Sequence, residues 1–410
     1  MSGITKPVWV WLPDTHAPTA CGTFTLQNKI GTFTYLQTYR ATAGAVSLDP
    51  HNLPLTRATG GRKETRQGGL FGVFRDASPE GFGLGLLERL KNINIADPMQ
   101  RLELSEGDAV GAIEVCDDIQ AKCAFQPPAL DDLVAALASL EPERASSVAA
   151  REVKGVKGTS LGGERPKLTV MHGQQQWIAK LQDRGDPPHA PLREYLAMRL
   201  AKRCGIRAAQ VEFKRVGDRE MVLVRRFDRA VTAQGLVSRK LYASAHTVLR
   251  LDTQLRGDPQ RSYIALSNEL QRWCGRSGYD PKQQQRELWR RMAFNAIVGN
   301  ADDHPRNHGL LYENQGWVLS DAFDIAPYLT FSKTLSMAMT RDGSLEANAG
   351  NLLKNCTSFH YEAEEARHYI KTTVATIRNA WPEELAAVGM PHDAAATPAM
   401  DWLGDALGIT

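Results

Sequence analysis

The sequence predicts an α+β protein, with a small α/β subdomain at its N-terminus and a larger core that ends in a mostly helical lobe. Three observations predict it. Short apolar runs alternate with polar residues before residue 40, the pattern of half-buried strands. A glycine-rich stretch near residue 160 sits just before two further strand-like runs. Beyond Ala230 the apolar residues recur at helical spacing. We divide the chain into an N-terminal subdomain (1–125), a linker (126–150), a lobe with the glycine-rich loop (151–230) and a helical lobe (231–410).

Bulk composition bounds the problem. A chain of 410 residues with 42% hydrophobic and 23% charged residues has the profile of an ordinary globular protein in more than one domain or lobe. Its net charge of +3 is too small to make nucleic acid or a polyanionic surface the main partner. Cys21, Cys116, Cys123, Cys204, Cys274 and Cys356 are scattered without a C-x-x-C pair, so the sequence indicates neither a zinc knuckle nor a disulfide framework. The opening residues do not read as a signal peptide, and no apolar run approaches the roughly 20 residues of a membrane helix. The expectation is a cytoplasmic protein without a membrane partner.

Val8-Trp9-Val10-Trp11-Leu12 reads as a buried strand. Phe24 and Leu26, then Phe33 and Tyr35, alternate around Asn28-Lys29-Ile30-Gly31 and predict an antiparallel pair. Ser78 is placed to cap a helix with Pro79 at its first position and Leu84, Leu87 and Leu90 on one face. Gly111 to Val115 closes the subdomain as a short strand, and Asp131 to Leu140 predicts a short helix within the linker.

The second part opens on a loop running from Gly155 through Ser160-Leu161-Gly162-Gly163-Glu164-Arg165-Pro166-Lys167. Its glycines let the backbone approach a phosphate, and its lysines and hydroxyls add donors. It lacks the order of a Walker A motif. Leu168 to Met171 and Trp177 to Leu181 follow as strands, the second carrying Lys180. Arg193 to Cys204 predicts a helix stopped by Gly205, with Glu194 near its start. Val211 to Phe213 and Met221 to Val224 form a strand pair that ends at Arg225-Arg226-Phe227-Asp228-Arg229. Helices are then expected over Tyr263 to Cys274 and Gln284 to Val298, and along the stripe Ala366, Ile370, Val374, Ile377 and Trp381, stopped by Pro382.

The densest chemistry lies at Asn300-Ala301-Asp302-Asp303-His304-Pro305-Arg306-Asn307 and, past a short strand, at Ser320-Asp321-Ala322-Phe323-Asp324. Phosphoryl transfer needs one carboxylate to orient or accept the attacking hydroxyl's proton, and an amide and a second carboxylate to hold magnesium. The D-x4-N spacing from Asp302 to Asn307 suits that division of labour, and a glycine-rich loop followed by a strand lysine completes a protein-kinase-like core. Asp302, Asp303, His304 and His308 would also suit a metal hydrolase. Asp303 reads as a solvated turn residue, and Asp321 competes with Asp324 for the metal.

Taken together, the glycine-rich loop, Arg226-Phe227-Asp228-Arg229, the Asn300 to Asn307 stretch and Phe323-Asp324-Ile325 resemble those of HipA-family serine/threonine kinases, the toxins of type II toxin–antitoxin pairs. The resemblance covers most of the chain. It implies Asp302 as catalytic base, and Asn307 and Asp324 as Mg2+ ligands. Nucleotide contacts are implied for Gly162, Gly163, Glu164, Arg165, Pro166, Lys167, Lys180, Arg225, Arg226, Phe227, His304 and Phe323, with ATP as the phosphoryl donor. Ser160 matches the serine that such kinases autophosphorylate. The implied partners are a protein substrate of the aminoacyl-tRNA synthetase class and a small helix-turn-helix antitoxin, with DNA reached only through that antitoxin. The chain departs from the best-known members at Ser244 to Leu249, where they carry a His-Gln-Glu-Asp-like helix start. The rival readings are a small-molecule phosphotransferase and a non-catalytic partner of a DNA-binding protein.

Overall fold

The structure is a computed structural model, and it describes residues 3–139, 161, 163, 165–183, 185–252, 258–275, 279–327 and 334–390. The chain separates into two compact units. One comprises Met1–Asp183, Arg225–Asp252 and Leu311–Gln315; the other comprises Arg184–Val224, Thr253–Leu310 and Gly316–Thr410.

The first unit is built on an antiparallel sheet of order β4-β3-β2-β1-β5. Its strands are β1 (Ile4–Trp11), β2 (Pro18–Gln27), β3 (Ile30–Tyr35), β4 (Arg62–Glu64) and β5 (Ile113–Val115). The turn between β2 and β3 is Asn28-Lys29, both at positive φ (48° and 61°), the two-residue geometry whose twist matches the flanking strands. Phe24 and Phe33 lie on the buried face and meet Phe71 and Phe74 edge-on, with ring centroids 5.0 to 6.1 Å apart. Gly31 is required there: a Cβ on it would stand 1.9 Å from the Gly69 carbonyl oxygen.

Ser78 is not a helix cap. The helix it was expected to open begins at Gly81, after Glu80, while a separate short helix, Gly72–Asp76, precedes Ser78. Ser78 is buried instead. The linker helix forms at Leu130–Ala138, and just before it the Pro128 carbonyl accepts the Met171 N–H at 2.8 Å. Met171 lies on the hairpin of β6 (Lys167–His172) and β7 (Gln175–Leu181), so the start of the linker is tied to that hairpin.

The part beyond Ala230, expected to be mostly helical, opens on strands instead. Residues 229–244 hold the strands Arg229–Val231, Val237–Arg239 and Tyr242–Ser244. Each is three residues long, too short to show a period. Ser244 then caps the helix Ala245–Val248, and its own N–H and hydroxyl both donate to Asp76, at 2.8 and 2.7 Å.

A buried charged cluster ties this segment to the N-terminal subdomain. Asp228 accepts from the Arg226 and Arg229 guanidiniums and from the Gly111 N–H. Arg226 also donates to the Asp108 carbonyl, Arg229 to the Gly111 carbonyl, and Arg239 to Glu114 and the Gly107 carbonyl. Burial pushes the Asp228 carboxyl up, but the two arginines and the hydrogen bonds outweigh it and hold the group well below the usual carboxylate range.

In the second unit, the helix Ala190–Arg203 precedes an antiparallel pair, β8 (Val211–Val216) and β9 (Arg219–Arg225). The helices Tyr263–Cys274, Pro281–Val298 and Ala363–Ala387 supply most of its core. Trp289 packs between Tyr361 and Tyr369, and Trp273 meets Trp317 edge-on at 4.9 Å. Pro382 does not end the last helix, which runs on to Ala387. Trp381 and Leu385 are buried, and Glu384, 1% exposed, is held by Arg199 at 3.0 Å and Arg203 at 2.8 Å. These anchors offset the roughly 3 kcal/mol an interior proline costs.

Because the folded Asp228 carboxyl titrates below its unfolded value of about 3.9, its contribution is present above that pH and is lost as pH falls through the folded value. Asp228→Asn should destabilise the chain by about 3–5 kcal/mol at pH 7, because it leaves two buried guanidiniums without their carboxylate. Denaturant titrations should show that loss shrinking below pH 4; a variant as stable as the parent at pH 7 would contradict the assignment.

Candidate active site

The helix Pro281–Val298 ends on Gly299 at φ 70°, a left-handed cap that glycine adopts without strain. The Asn300 N–H returns to the Asn295 carbonyl at 2.9 Å, and Asn300 Nδ2 donates to Asn295 Oδ1 at 3.1 Å. The next residues make a tight turn around the Asp302 carbonyl, which accepts the His304 N–H at 2.7 Å and Asn307 Nδ2 at 3.1 Å. Asp302 and Asn307 are thus fixed to one another through the backbone. The Asp302 side chain is exposed, and Asn307 is buried.

Asp303 is not a solvated turn residue. It is 2% exposed, and its Oδ2 accepts from the Tyr263 hydroxyl and from His308 Nε2, the latter at 3.0 Å. Burial pushes its carboxyl up; the charge of His308 and the bonds from His308 and Tyr263 outweigh that and hold it below its ordinary value. His308 therefore points to Asp303, with its ring edge-on to Tyr263. His304 is half-buried, and its Nδ1 has no partner among the described residues.

The segment carrying the second carboxylates is held from behind. The Ala322 N–H donates to the Arg207 carbonyl at 2.8 Å, and the Ala209 N–H to the Ala322 carbonyl at 2.9 Å. Arg207 also binds the Leu319 carbonyl and pairs with Asp321 at 3.2 Å. Arg291, 1% exposed, donates to the Ser320 carbonyl at 2.8 Å and to Glu287 at 3.0 Å. Asp321 is therefore occupied by an arginine. Asp324 follows at φ 58°, a conformation that aspartate adopts more readily than most residues. Phe323 and Asp324 are both half-buried. Glu194 lies in the second turn of its helix and is buried.

In the other unit, Lys167 and Lys180 are register partners in the β6–β7 hairpin, so both side chains leave the same face. Gly163 has φ 102° and its carbonyl accepts the Phe82 N–H at 2.8 Å; a Cβ on it would meet Lys167 Nζ at 2.5 Å. Pro166 is buried and its carbonyl accepts the Leu181 N–H at 3.2 Å, while Arg165 is half-buried. Arg225 is exposed and Phe227 half-buried. Arg226 departs from the expected nucleotide contact: its guanidinium is buried against Asp228, Asp108 and Ala109, and its N–H donates to the Gln176 carbonyl. Ser160, Gly162 and Glu164 lie outside the described residues.

Residues 9–116 match the HipA N-terminal domain, and residues 159–381 match the HipA-like C-terminal domain. The chain belongs to the HipA family. A HipA structure from Shewanella oneidensis MR-1, described as a toxin–antitoxin system of HipA, HipB and operator DNA, superposes with a TM-score of 0.69 at 17% identity. The match covers 98% of this chain and 94% of that one, so the two share a fold. A Sinorhizobium fredii (strain NBRC 101917 / NGR234) relative named "Putative kinase Y4mE" is 29% identical over 136 residues, which span 32% of this chain and 31% of that protein. Among the described residues no helix is long and apolar enough to cross a membrane.

Sequence reasoning missed Glu287 and Arg291. Their i, i+4 spacing on a predicted helix was the available signal, but it resembles any surface pair. Glu287→Leu should cost about 3–5 kcal/mol by stranding the buried Arg291 charge, and Glu287→Leu with Arg291→Leu should recover much of it. Chemical denaturation of both variants checks this; equal losses would mean that the pair is not coupled.

Proposed function

We propose that this HipA-family protein is a serine/threonine kinase that uses ATP and Mg2+ to phosphorylate a protein. The observation that carries the reading is the turn after Gly299, where the Asp302 carbonyl gathers the His304 N–H and the Asn307 amide. It holds an exposed carboxylate beside an amide whose Nδ2 is already engaged, leaving Oδ1 as a donor to a cation.

The donor set suits magnesium. Asn307 and Asp324 offer hard oxygens, and magnesium is commonly held by one or two protein groups together with substrate phosphates. Among the described residues no three His, Cys, Asp or Glu side chains gather as a metal cluster. The family resemblance favours Asp324 over Asp321 as the second ligand. When bound, the ion would neutralise charge on the phosphates.

In this mechanism the Asp302 carboxylate takes the proton of the incoming serine or threonine hydroxyl. The hydroxyl oxygen bonds to the γ-phosphorus, the bond from that phosphorus to the bridging oxygen breaks, and ADP leaves. Lys167 and Lys180, sharing one hairpin face, bind phosphate oxygens with the backbone around Gly162 and Gly163. Arg225 and Phe227 line the adenine, and His304 and Phe323 border the nucleotide. Arg226 acts at one remove, by fixing Asp228. Phosphorylation of Ser160 would add about −1.5 to −2 charge to the loop and weaken nucleotide binding.

The biological role follows the family. The chain would act in the cytoplasm as a growth-arresting toxin on a protein of translation, of the aminoacyl-tRNA synthetase class. A small helix-turn-helix antitoxin would restrain it and bring it to DNA; the HipA–HipB–operator complex that shares its fold supports that partner.

Asp302→Gln should lower phosphoryl transfer by about 10²–10⁴-fold and leave the chain folded, because the side chain is exposed. Transfer of radiolabelled phosphate to protein, with mass spectrometry of Ser160, measures it; a variant as active as the parent removes Asp302 from the mechanism. Asp324→Asn should raise the Mg2+ requirement far more than Asp321→Asn, and the reverse order would exchange their roles.

A further inference from the structure

A second charged site lies in the first unit, apart from every residue assigned to phosphoryl transfer. A small cleft there is lined by Glu64, Arg66, Arg75, His246, Thr247 and Arg250, among others. Three arginines face one carboxylate. That carboxylate is already taken: Glu64 is paired with Arg66, its Oε2 3.0 Å from Nη2 and its Oε1 3.1 Å from Nε. Among the described residues, Arg75 and Arg250 have no such carboxylate partner.

Arg75 is the decisive residue. It is only 8% exposed, and its Nη2 donates to His246 Nδ1 at 2.7 Å and, more weakly, to Thr247 Oγ1 at 3.4 Å. Arginine has only donors, so His246 must accept at Nδ1 and carries no proton there. Arg75's hydrogen-bond partners are thus neutral. Its Nε is buried with no hydrogen-bond partner among the described residues. The neighbouring Asp76 carboxylate is engaged by the Ser244 N–H and hydroxyl. Burial pushes the guanidinium below the usual arginine range, and the fields of Asp76, Asp252 and Glu64 only partly offset this. A buried cation without a carboxylate partner is costly, and a bound anion removes the cost.

The rim is fixed in place to match. Gln67 (φ 51°) and Arg250 (φ 56°) both hold left-handed backbone. Arg66 Nη1 donates to the Arg250 carbonyl at 3.2 Å, and Gln67 Nε2 to the Leu251 carbonyl at 2.9 Å. The cleft is small and partly open to solvent, which suits one small head group rather than a nucleotide.

We propose that this cleft binds a single small oxyanion, with Arg75 as its buried anchor, Arg250 at its mouth and Thr247 as a neutral donor. A phosphate group and a carboxylate share the chemistry the cleft recognises, and the tetrahedral, more highly charged phosphate should bind more tightly.

The test uses the full chain in a low-chloride, phosphate-free buffer. Inorganic phosphate at ten times its dissociation constant should raise the parent's melting midpoint by roughly 2 °C and should leave that of Arg75→Met unmoved. In the absence of added anion, Arg75→Met should be at least as stable as the parent. An equal phosphate shift in parent and Arg75→Met would place the anion elsewhere and overturn the proposal. Should Arg75→Met fail to fold, Arg250→Ala, altered only at an exposed residue, should weaken phosphate binding about fivefold by calorimetry; unchanged affinity is equally fatal. An acetate shift that Arg75→Met abolishes would support the site with a carboxylate as its source. Phosphate acting alone would support a phosphoryl source, and no shift with either anion would overturn the site.

Discussion

The second unit's candidate site depends on one buried guanidinium. Arg291 lies inside the helix Pro281–Val298 and reaches three acceptors in fixed directions: Glu287, the Ser320 carbonyl and, at 3.3 Å, the Arg207 carbonyl. Glu287 in turn accepts the Arg207 N–H at 3.1 Å. The helix Pro281–Val298 is thereby connected to the two segments that meet at Ala322, one through Arg207 and the other through Ser320. A planar fork can satisfy acceptors on two chain segments at once; a lysine ammonium, a point charge on a flexible stem, would not set their spacing in the same way. Burial lowers the Arg291 guanidinium's hold on its proton, and Glu287 counters it. Burial raises the Glu287 carboxyl, but Arg291 and Arg290 together bring it below its ordinary value. The ion pair thus keeps both partners charged, and their charge keeps the carbonyls of Arg207 and Ser320 in place.

The first unit uses the same device for another purpose. Asp228 is surrounded by Arg226, Arg229 and the Gly111 N–H, and those arginines reach backbone carbonyls between Asp108 and Gly111. Thr169 on β6 donates to Asp108 at 2.9 Å. One buried cluster therefore ties the N-terminal subdomain, the β6–β7 hairpin and the segment after β9. The Arg226-Phe227-Asp228-Arg229 motif is mainly a clamp: two of its three charged side chains reach across to the backbone of the subdomain, and the third holds those two together.

These networks mark the limit of what the sequence could convey. The α+β class and the family were legible because they rest on local order: alternation around Asn28-Lys29, a loop followed by a strand lysine, and the D-x4-N spacing of Asp302 and Asn307. Asp303 was misread for the opposite reason. Its neighbours describe a polar turn, while Tyr263, its partner, stands 40 residues upstream. Pro382 was misread because local propensity marks a stop, and the anchors that override it, Arg199 and Arg203, lie some 180 residues away. The Arg226 motif was recognised correctly as a motif, yet the carbonyls its side chains need are about 118 residues upstream and leave no periodic trace.

The contrast between Asp302 and Asp303 shows how a turn can serve chemistry. Adjacent carboxylates have opposite surroundings. Asp303 is enclosed, accepts from Tyr263 and His308, and is held ionised by them; Asp302 is exposed, and its backbone carbonyl accepts from His304 and Asn307. Were both exposed, the turn would have only its backbone bonds to define it, and the position of Asp302 would drift with the loop. Were both buried, Asp302 could not be the base of the proposed phosphoryl transfer. A reactive group must be held close to its working geometry by neighbours that are themselves locked. Asp303 provides that lock from within the same dipeptide, through a tyrosine on the helix Tyr263–Cys274 and a histidine five residues on. The acidic pair is therefore one structural unit, in which the buried member fixes the turn and the exposed member is presented by it.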